Sequence, residues 1–398
     1  MLSRRLAEAV FAEAVAACDP AARVLAALAD VPAGHRRLGI AVGKAALAMA
    51  RGAGPVAHGV AIAPIDDGGA LPAGWRVLIA PHPVPDHRSV EAAAAAWRIA
   101  DREARAGDVL LVLISGGASA LLEAPRDGVT LEELRSAVAA LMAAGAPIAE
   151  LNLVRSALSR IKAGGLVAHC PTRVVTLAIS DVIGDDLATI GSGPTIAPAA
   201  PLSPRAADVL RAYGITVPPV LAAPDAPWPP RIGDMARVIM PMTAFADAVI
   251  TALGSRGIHA TRLDPPISGD VHAVAEELAA RSGLVIAWGE PTLAVPPAHG
   301  EGGRAQQLAL ELAHRIRGTH RVAFSIGSDG ADGPPPAHRA PPAGAYVDGS
   351  TWDAIVAAGR DPAAALARRD AGTVLAAVDA LVVTGPTGIN HADLVILG

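Results

Sequence analysis

The two lysines are the first candidates for catalytic or ligand-binding residues, because the 398-residue chain contains no other lysine. Lys44 lies in the segment G-K-A-A and Lys162 in I-K-A-G-G, so each stands beside a glycine. A lysine ammonium is a compact point charge on a flexible stem, which suits contact with a phosphoryl group. The two asparagines, Asn152 and Asn390, fall in similar motif-like segments. We predict that some of these four residues belong to the active site. The simpler explanation is that they remain by chance in a composition that disfavours lysine and asparagine.

A glycine-serine turn follows the apolar run Val109–Ile114 and leads into a helical pattern. A strand, a glycine turn and a helix start together present backbone N–H groups at the positive end of a helix dipole, where phosphate binds. A plain capped turn fits the pattern equally well, because the segment is neither a Walker A sequence nor a dinucleotide fingerprint. The candidate phosphate ligands are Ser115, Gly116, Gly117 and Ser119.

Three carboxylates follow another apolar run, in the segment S-D-V-I-G-D-D. Such charges repel one another unless a cation or hydrogen-bond donors compensate. Mg²⁺ favours one or two carboxylates together with phosphate oxygens and water. We therefore predict a site at Asp181, and we expect Asp186 to cap a helix.

Polar residues also follow strand-like runs in the second half of the chain. Glu290 follows Leu284–Trp288 by one glycine, and Arg304 stands at a glycine-rich helix start, where its guanidinium could bind phosphate or carboxylate with two hydrogen bonds. Asp329 follows Val322–Ile326 in a segment that resembles a calcium loop only superficially, because the terminal glutamate is absent. No metal-spaced histidine cluster or nucleophile elbow is present in the sequence.

The elements that must position these residues are short apolar strands alternating with alanine-rich helices. Continuous apolar strands interleaved with helices predict parallel sheets covered on both faces, with ligands at the carboxyl ends of the strands. Since five strands end in glycine plus a polar residue, we expect a shared cleft. The predicted strands are Leu38–Val42, Val60–Ala63, Arg76–Ala80, Val109–Ile114, Val174–Ile179, Ala236–Pro241, Leu284–Trp288, Val322–Ile326 and Leu381–Val383.

Composition and length limit the class of protein. A 40.0 kDa chain suggests at least two domains, and the proline-rich segment Val217–Arg231 predicts a boundary, giving domains 1–232 and 233–398. With a formal charge of -5 and no basic run, nucleic acid is not an expected partner. No apolar stretch of about 18 residues exists to span a membrane. Two cysteines outside any paired motif are typical of a reducing cytoplasm.

In order along the chain, eleven segments resemble the class II glycerate 2-kinase family, whose C-terminal region is called MOFRL. The resemblance covers the chain from about residue 5 to its end. The matching segments are G-K-A-A, H-P-V-P-D, S-G-G-A-S-A-L-L, N-L-V-R, L-S-R-I-K, S-D-V-I-G-D-D, G-S-G-P-T, G-E-P-T, G-G-R, S-D-G-A-D-G and T-G-P-T-G-I-N.

The resemblance implies two α/β domains, each with a largely parallel sheet covered by helices, and an active site in the cleft between them. It also implies ATP, a divalent cation such as Mg²⁺, and phosphorylation of D-glycerate or a close hydroxy acid on its 2-hydroxyl. Asp181 and Asp329 are the candidate metal ligands, and Asp185 or Glu290 the candidate base. The residues carried over by motif are Lys44, Asp181, Asp185, Glu290, Arg304, Asp329 and Asn390.

The chain departs from the family pattern at several loops. Ala118 replaces the third glycine after Ser115, and the usual Arg-Lys-His run reads Arg155-Ser156-Ala157. A longer proline-rich loop, Pro334–Pro342, follows D-G-A-D-G, and Ile389 replaces the usual threonine. The charged framework is retained, so kinase chemistry is a firmer prediction than the identity of the acceptor.

Two other functions remain open from the sequence. One is an NAD(P)-dependent hydroxypyruvate reductase, a name that relatives often carry. It needs a dinucleotide fingerprint, and Gly191-Ser192-Gly193-Pro194 begins like one without its last glycine. The other is a nonenzymatic small-molecule-binding paralogue, which predicts loss of the charged residues that are in fact present.

Overall fold

The structure, a computed structural model, describes residues 2–222, 225, 228–229, 231–336, 338–389 and 391–398. Contacts within the chain divide it into two compact units. We call Pro20–Pro241 the parallel unit, and Met1–Asp19 with Met242–Gly398 the mixed unit, after their sheets. Over the described residues, no helix is sufficiently long and apolar to cross a membrane.

The first helix belongs to the mixed unit. In α1 (Arg4–Ala17), the ring of Phe11 packs edge-on against Phe245 at a centroid distance of 5.5 Å. Contacts therefore group the chain differently from the predicted domains 1–232 and 233–398. An amphipathic pattern shows that a helix has an apolar face, but it does not reveal which core that face will meet.

Six parallel strands form the sheet of the parallel unit, and each coincides with a predicted strand to within a few residues. They are β1 (Arg37–Val42), β2 (His58–Ala63), β3 (Trp75–Ile79), β4 (Val109–Ile114), β5 (Arg173–Ile179) and β6 (Met235–Met240). Their order is β3-β2-β1-β4-β5-β6. Every residue of β4 is buried, as expected for a strand covered on both faces.

Helices pack around this sheet, and two of them begin at a side-chain capping box. The helix that follows Thr130, for example, has a capping box: the Glu133 N–H donates to Thr130 Oγ1 at 3.1 Å, and the Thr130 N–H donates to Glu133 Oε2 at 2.7 Å. The helices are α2 (Pro20–Ala27), α3 (Ala46–Ala53), α4 (His87–Trp97, continued by a π-helical segment Arg98–Glu103), α5 (Ala118–Leu121), α6 (Leu131–Ala143), α7 (Ile148–Ala157) and α8 (Ser203–Ala212).

The mixed unit contains a seven-stranded sheet of order β12-β11-β10-β13-β9-β7, with β8 also paired to β9. Its strands are β7 (Thr261–Arg262), β8 (Ile267–Asp270), β9 (Val285–Thr292), β10 (Val322–Ile326), β11 (Gly344–Asp348), β12 (Leu381–Val382) and β13 (Asp393–Leu397). Around it lie α9 (Ala244–Gly254), α10 (Val271–Ala279), α11 (Arg304–Arg315), α12 (Thr351–Ala357), α13 (Pro362–Arg368) and α14 (Ala371–Ala376).

The prediction of a largely parallel sheet is wrong for this unit. Only β7 and β8 run parallel to β9, and the other neighbouring pairs are antiparallel. A strand buried on both faces reads as the same apolar run in either direction, so its composition does not report its orientation. Antiparallel neighbours also need no crossover helix between them, and the described residues between β10 and β11 form none.

Candidate active site

The carboxyl ends of β1 and β4 lie side by side at the point where the strand order of the parallel unit reverses. Ligands of such sheets bind at this switch point. The Lys44 N–H donates to the Gly116 carbonyl at 2.8 Å, and the Ala45 N–H donates to Ser115 Oγ at 3.0 Å. Any side chain at Gly43 would place its Cβ 2.2 Å from Ser115 Oγ. Glycine therefore lets the two predicted motifs touch.

Lys44, His82 and Asp181 converge on the two glycines of this turn. A Cβ on Gly116 would lie 2.6 Å from Asp181 Oδ2, and one on Gly117 would lie 3.0 Å from the His82 ring and 3.4 Å from Lys44 Cγ. Burial, and then the nearby Lys44 charge, lower the pKa of His82. His82 thus contributes a neutral imidazole ring to the side chains around these two glycines. We did not single it out from the sequence, although its H-P-V-P-D motif was visible.

Ser119 lies in the first turn of α5, just after the two glycines. Its hydroxyl is 2.7 Å from that of Ser192. Ser192 has a φ of 64°, a backbone conformation that is uncommon for a residue with a side chain. Since the Ala163 N–H also donates to the Ser192 carbonyl at 3.0 Å, Ser192 connects the turn to the neighbouring loop.

The other carboxylates of S-D-V-I-G-D-D lie farther along the same loop. Asp185 occupies a turn closed by its N–H, which donates to the Val182 carbonyl at 3.1 Å. Asp186 accepts from the Ala188 N–H at 3.0 Å and from Thr189 Oγ1 at 2.7 Å. Asp186 is therefore a cap, though of a turn and not of an α-helix.

Lys162, the second scarce lysine, is a buried structural residue. Its ammonium lies 3.0 Å from the Glu123 carboxylate and donates to the carbonyls of Ser119 and Leu122 at 2.8 and 3.0 Å. Asn152 lies on α7, where its Oδ1 accepts a long hydrogen bond of 3.4 Å from Arg155.

In the mixed unit, a cavity of about 570 Å³ brings three predicted site residues together. Arg304 donates to Asp393 through Nε at 2.5 Å and through Nη2 at 3.1 Å, and Nη2 also lies 3.4 Å from Glu290 Oε1. Asp329 is exposed, and its Oδ1 accepts from the Ala331 N–H at 3.1 Å. The polar lining includes Glu290, Arg304, Ser328, Asp329, Asp332 and Asp393.

Two buried aspartates that the sequence did not reveal hold Arg304 in place. Burial raises the pKa of Asp393 to about 7, opposed by the hydrogen bonds and charge of Arg304. Asp332 accepts from the N–H groups of Ala305 and Gln306 at 3.0 and 2.8 Å, so it caps α11. Asp332 lies in a segment that we quoted, whereas Asp393 begins β13, a strand that we did not predict.

The remaining sequence expectations concern a metal and Asn390. Asn390 lies outside the described residues. Among the described residues, no group of three or more histidine, cysteine or acidic side chains is placed to hold a metal ion.

Comparisons with known proteins agree with this architecture. Two family models match the chain: DUF4147, a domain of unknown function, over residues 6–223, and the MOFRL family over residues 283–393. The D-glycerate 2-kinase of Thermotoga maritima is 34% identical over 387 residues, covering 90% of this chain and 89% of that protein. A protein of Agrobacterium vitis named for hydroxypyruvate reductase is 34% identical over 417 residues, covering 98% and 93%.

The fold is also shared with a solved structure. The crystal structure of a glycerate kinase from Thermotoga maritima matches with a TM-score of 0.85 and 31% identity, covering 99% of this chain and 98% of that one. The chain therefore belongs to the class II glycerate kinase family with its MOFRL region, as its motifs predict.

Proposed function

We propose that the protein transfers the γ-phosphoryl group of ATP to the 2-hydroxyl of D-glycerate, giving 2-phosphoglycerate and ADP. The observation that carries this proposal is an exposed lysine, Lys44, beside a glycine turn at the switch point of a parallel sheet. The name of the Thermotoga maritima relative, D-glycerate 2-kinase, supports the same reaction. We propose the cytoplasm as its location, because Cys18 and Cys170 form no disulfide.

Phosphoryl transfer depends on positioning and charge stabilisation more than on covalent chemistry. In our proposal, Lys44 neutralises charge on the transferring group, and the backbone from Ser115 to Ser119 holds nucleotide phosphates. Arg304 binds a phosphate or the acceptor carboxylate, and its two bonds to Asp393 fix the direction in which its remaining N–H groups point. Asp329 and Asn390 are further candidate nucleotide ligands.

A divalent cation such as Mg²⁺ belongs to the proposal, with Asp181 and Asp329 as its candidate ligands. Both side chains are exposed, and Asp181 Oδ2 lies against the backbone of Gly116. Magnesium needs only one or two carboxylates beside substrate phosphates and water, so either exposed carboxylate by itself fits it without a preformed cage. When bound, the cation supplies charge neutralisation to the phosphates.

The acceptor hydroxyl needs a base within hydrogen-bond reach. We propose Asp185 or Glu290 for this role. Glu290 Oε1 lies 3.4 Å from the Arg304 guanidinium, beside the group that we propose to bind a phosphate or the acceptor carboxylate. Asp185 lies four residues after Asp181 in the same loop, so it would serve a hydroxyl bound beside the parallel unit.

Hydroxypyruvate reduction is the second candidate, on the strength of the Agrobacterium vitis relative's name. A dinucleotide fingerprint lies between a strand and the start of a helix. Here Gly191 and Ser192 lie within a 3₁₀ turn, Ile190–Ser192, and the next helix begins only at Ser203. The local structure therefore favours the kinase.

One experiment separates these functions. The purified full chain is incubated with ATP, Mg²⁺ and D-glycerate, and ADP is measured, with reactions that omit Mg²⁺ or glycerate as controls. Enolase is then added to the product, because it consumes 2-phosphoglycerate and not the 3-phosphate. A parallel reaction contains hydroxypyruvate with NADH or NADPH. We expect ADP to form only when glycerate is present, and we expect enolase to consume the product. Oxidation of NADH or NADPH without ADP formation would instead show that the protein is a reductase.

A further inference from the structure

Arg155, on α7, is a cation that the proposed reaction has not used. Its Nη1 lies 3.4 Å from Ser119 Oγ and 3.4 Å from Asn152 Oδ1. Both distances exceed the usual range of about 2.7–3.2 Å. Across the described residues these are its only hydrogen bonds, so the donors of Nε and Nη2 are left over.

Arg155 also differs in its ionic partners from two other arginines of the parallel unit. Arg126 pairs with Asp225 at 2.7 Å, and Arg160 pairs with Asp127 at 2.9 Å. Arg155 is half-buried, yet no carboxylate of the described chain lies within ion-pair distance of it. Burial lowers its pKa and the more distant Glu123 offsets part of that change. A guanidinium does not lose its proton in proteins, so its charge stays and is poorly compensated.

The carboxylate whose charge acts on Arg155, that of Glu123, already has other partners. It pairs with Lys162 at 3.0 Å, and it accepts from Ser159 Oγ at 2.6 Å and from the Ala124 N–H at 3.0 Å. Arg155 contributes to lowering the pKa of Lys162, so the two cations repel each other. Two positive charges therefore share one negative charge, which leaves an excess positive charge beside Ser119.

We propose that Arg155, with the hydroxyl of Ser119, binds an oxyanion of one of the two substrates. A guanidinium with unused donors binds a carboxylate or a phosphate through two hydrogen bonds. Ser119 lies in the same turn as Gly117, which adjoins Lys44, so the oxyanion is bound close to the proposed reacting group. Ser192 orients the Ser119 hydroxyl at 2.7 Å and acts as a positioning residue.

The oxyanion belongs either to the acceptor carboxylate or to a nucleotide phosphate, and binding measurements distinguish the two. Calorimetry on the full chain measures Kd for D-glycerate and, separately, for ATP. The variants are Arg155→Gln and Arg155→Lys. The control is Arg211→Gln, which removes an arginine on α8 that is paired only with the exposed Asp208.

We expect Arg155→Gln to raise one of the two dissociation constants by about tenfold or more, as for loss of a charged hydrogen bond. The affected ligand identifies the oxyanion. Arg155→Lys should recover only part of the affinity, because an ammonium cannot make the two-bond contact. Arg211→Gln should change neither constant by more than about twofold.

Three results would overturn the inference. The first is an unchanged affinity for both ligands in Arg155→Lys and Arg155→Gln. The second is an equal loss of affinity for both ligands, as a general loss of structure would produce. The third is the same loss of affinity in Arg211→Gln. The inference takes its choice of ligands from the proposed function, but it is measured by binding and not by turnover. An inactive protein whose affinity depends on Arg155 would refute the proposed reaction alone. An active protein with unaltered Arg155 variants would refute this inference alone.

Discussion

The parallel unit holds its two lysines in opposite environments. Lys44 is exposed at the carboxyl edge of the sheet, and its ammonium makes no ion pair with any described residue. Lys162 is buried, and its ammonium is fully occupied by Glu123 and two carbonyls. The Lys44 charge is available to a ligand, whereas the Lys162 ammonium stabilises the end of the glycine-serine turn through its hydrogen bonds to backbone carbonyls. Scarcity of lysine therefore marks residues that are hard to replace, without separating chemistry from structure.

Arg304 of the mixed unit is an intermediate case. Like Lys162 it is held by a buried carboxylate, that of Asp393, and like Lys44 it reaches an open cavity. An anchored guanidinium keeps its direction before a ligand arrives, which lowers the entropic cost of binding. Substitutions at these positions test which of the three charges stabilises the fold and which binds the ligand.

The largest effect should follow from breaking the buried pair. Lys162→Met leaves the Glu123 carboxylate buried without its cation, and we expect the parallel unit to lose about 3–5 kcal/mol of unfolding free energy. Urea unfolding followed by circular dichroism measures this loss. Replacing both members, in Lys162→Met with Glu123→Leu, should recover most of it, because an apolar pair of similar volume leaves no unpaired charge. Equal losses in the single and double variants would contradict the ion-pair account.

A smaller free-energy change, with a different readout, is expected at Lys44. If its ammonium stabilises the transferring phosphoryl group, Lys44→Met should lower kcat by about a hundredfold or more. Lys44→Arg should also be impaired, because the planar guanidinium of arginine does not reproduce the compact charge of the lysine ammonium. Because the side chain is exposed, the unfolding free energy should change by only about 0.5 kcal/mol. Steady-state kinetics and urea unfolding of the same samples test both halves, and near-normal turnover in both variants would remove Lys44 from the mechanism.

The carboxyl edge of the parallel sheet could be predicted from the sequence because its information is local. Apolar runs such as Val109–Ile114 predict buried parallel strands, and the residues directly after such strands must meet at one edge. From the sequence alone, Lys44, Ser115 and Asp181 are therefore expected to lie close together. Arg155 was harder to recognise, because its distinguishing feature is the lack of a carboxylate partner, and pairing depends on tertiary contacts.

The mixed unit was less predictable for the same physical reason. The direction of a buried strand leaves no mark on its composition, so the antiparallel pairing of β10 and β13 was not predicted. The strand β13 itself, with its first residue Asp393, was not among the predicted strands. The buried state of Lys162 is also a tertiary property: its partner, Glu123, lies 39 positions earlier in the chain. Sequence spacing predicts which side chains follow a strand, but it does not predict which charges pair across the core.

The last comparison concerns Asp393, where the anchoring carboxylate itself should report on pH. Burial raises its pKa from 3.8 to about 7 in the folded protein. A carboxyl group with a raised pKa stabilises the fold while it is protonated, so its contribution is complete below about pH 4 and is lost as the pH rises to about 7. We expect this group to lower the unfolding free energy of the mixed unit by up to about 1.4 kcal/mol per pH unit within that window. Urea unfolding across the window, with Asp393→Asn subtracted from the unsubstituted protein, isolates the contribution, and Asp353→Asn on α12 serves as an exposed control. A difference that does not vary with pH would show that Arg304 keeps Asp393 ionised throughout, which would make this pair resemble the closed Lys162–Glu123 pair.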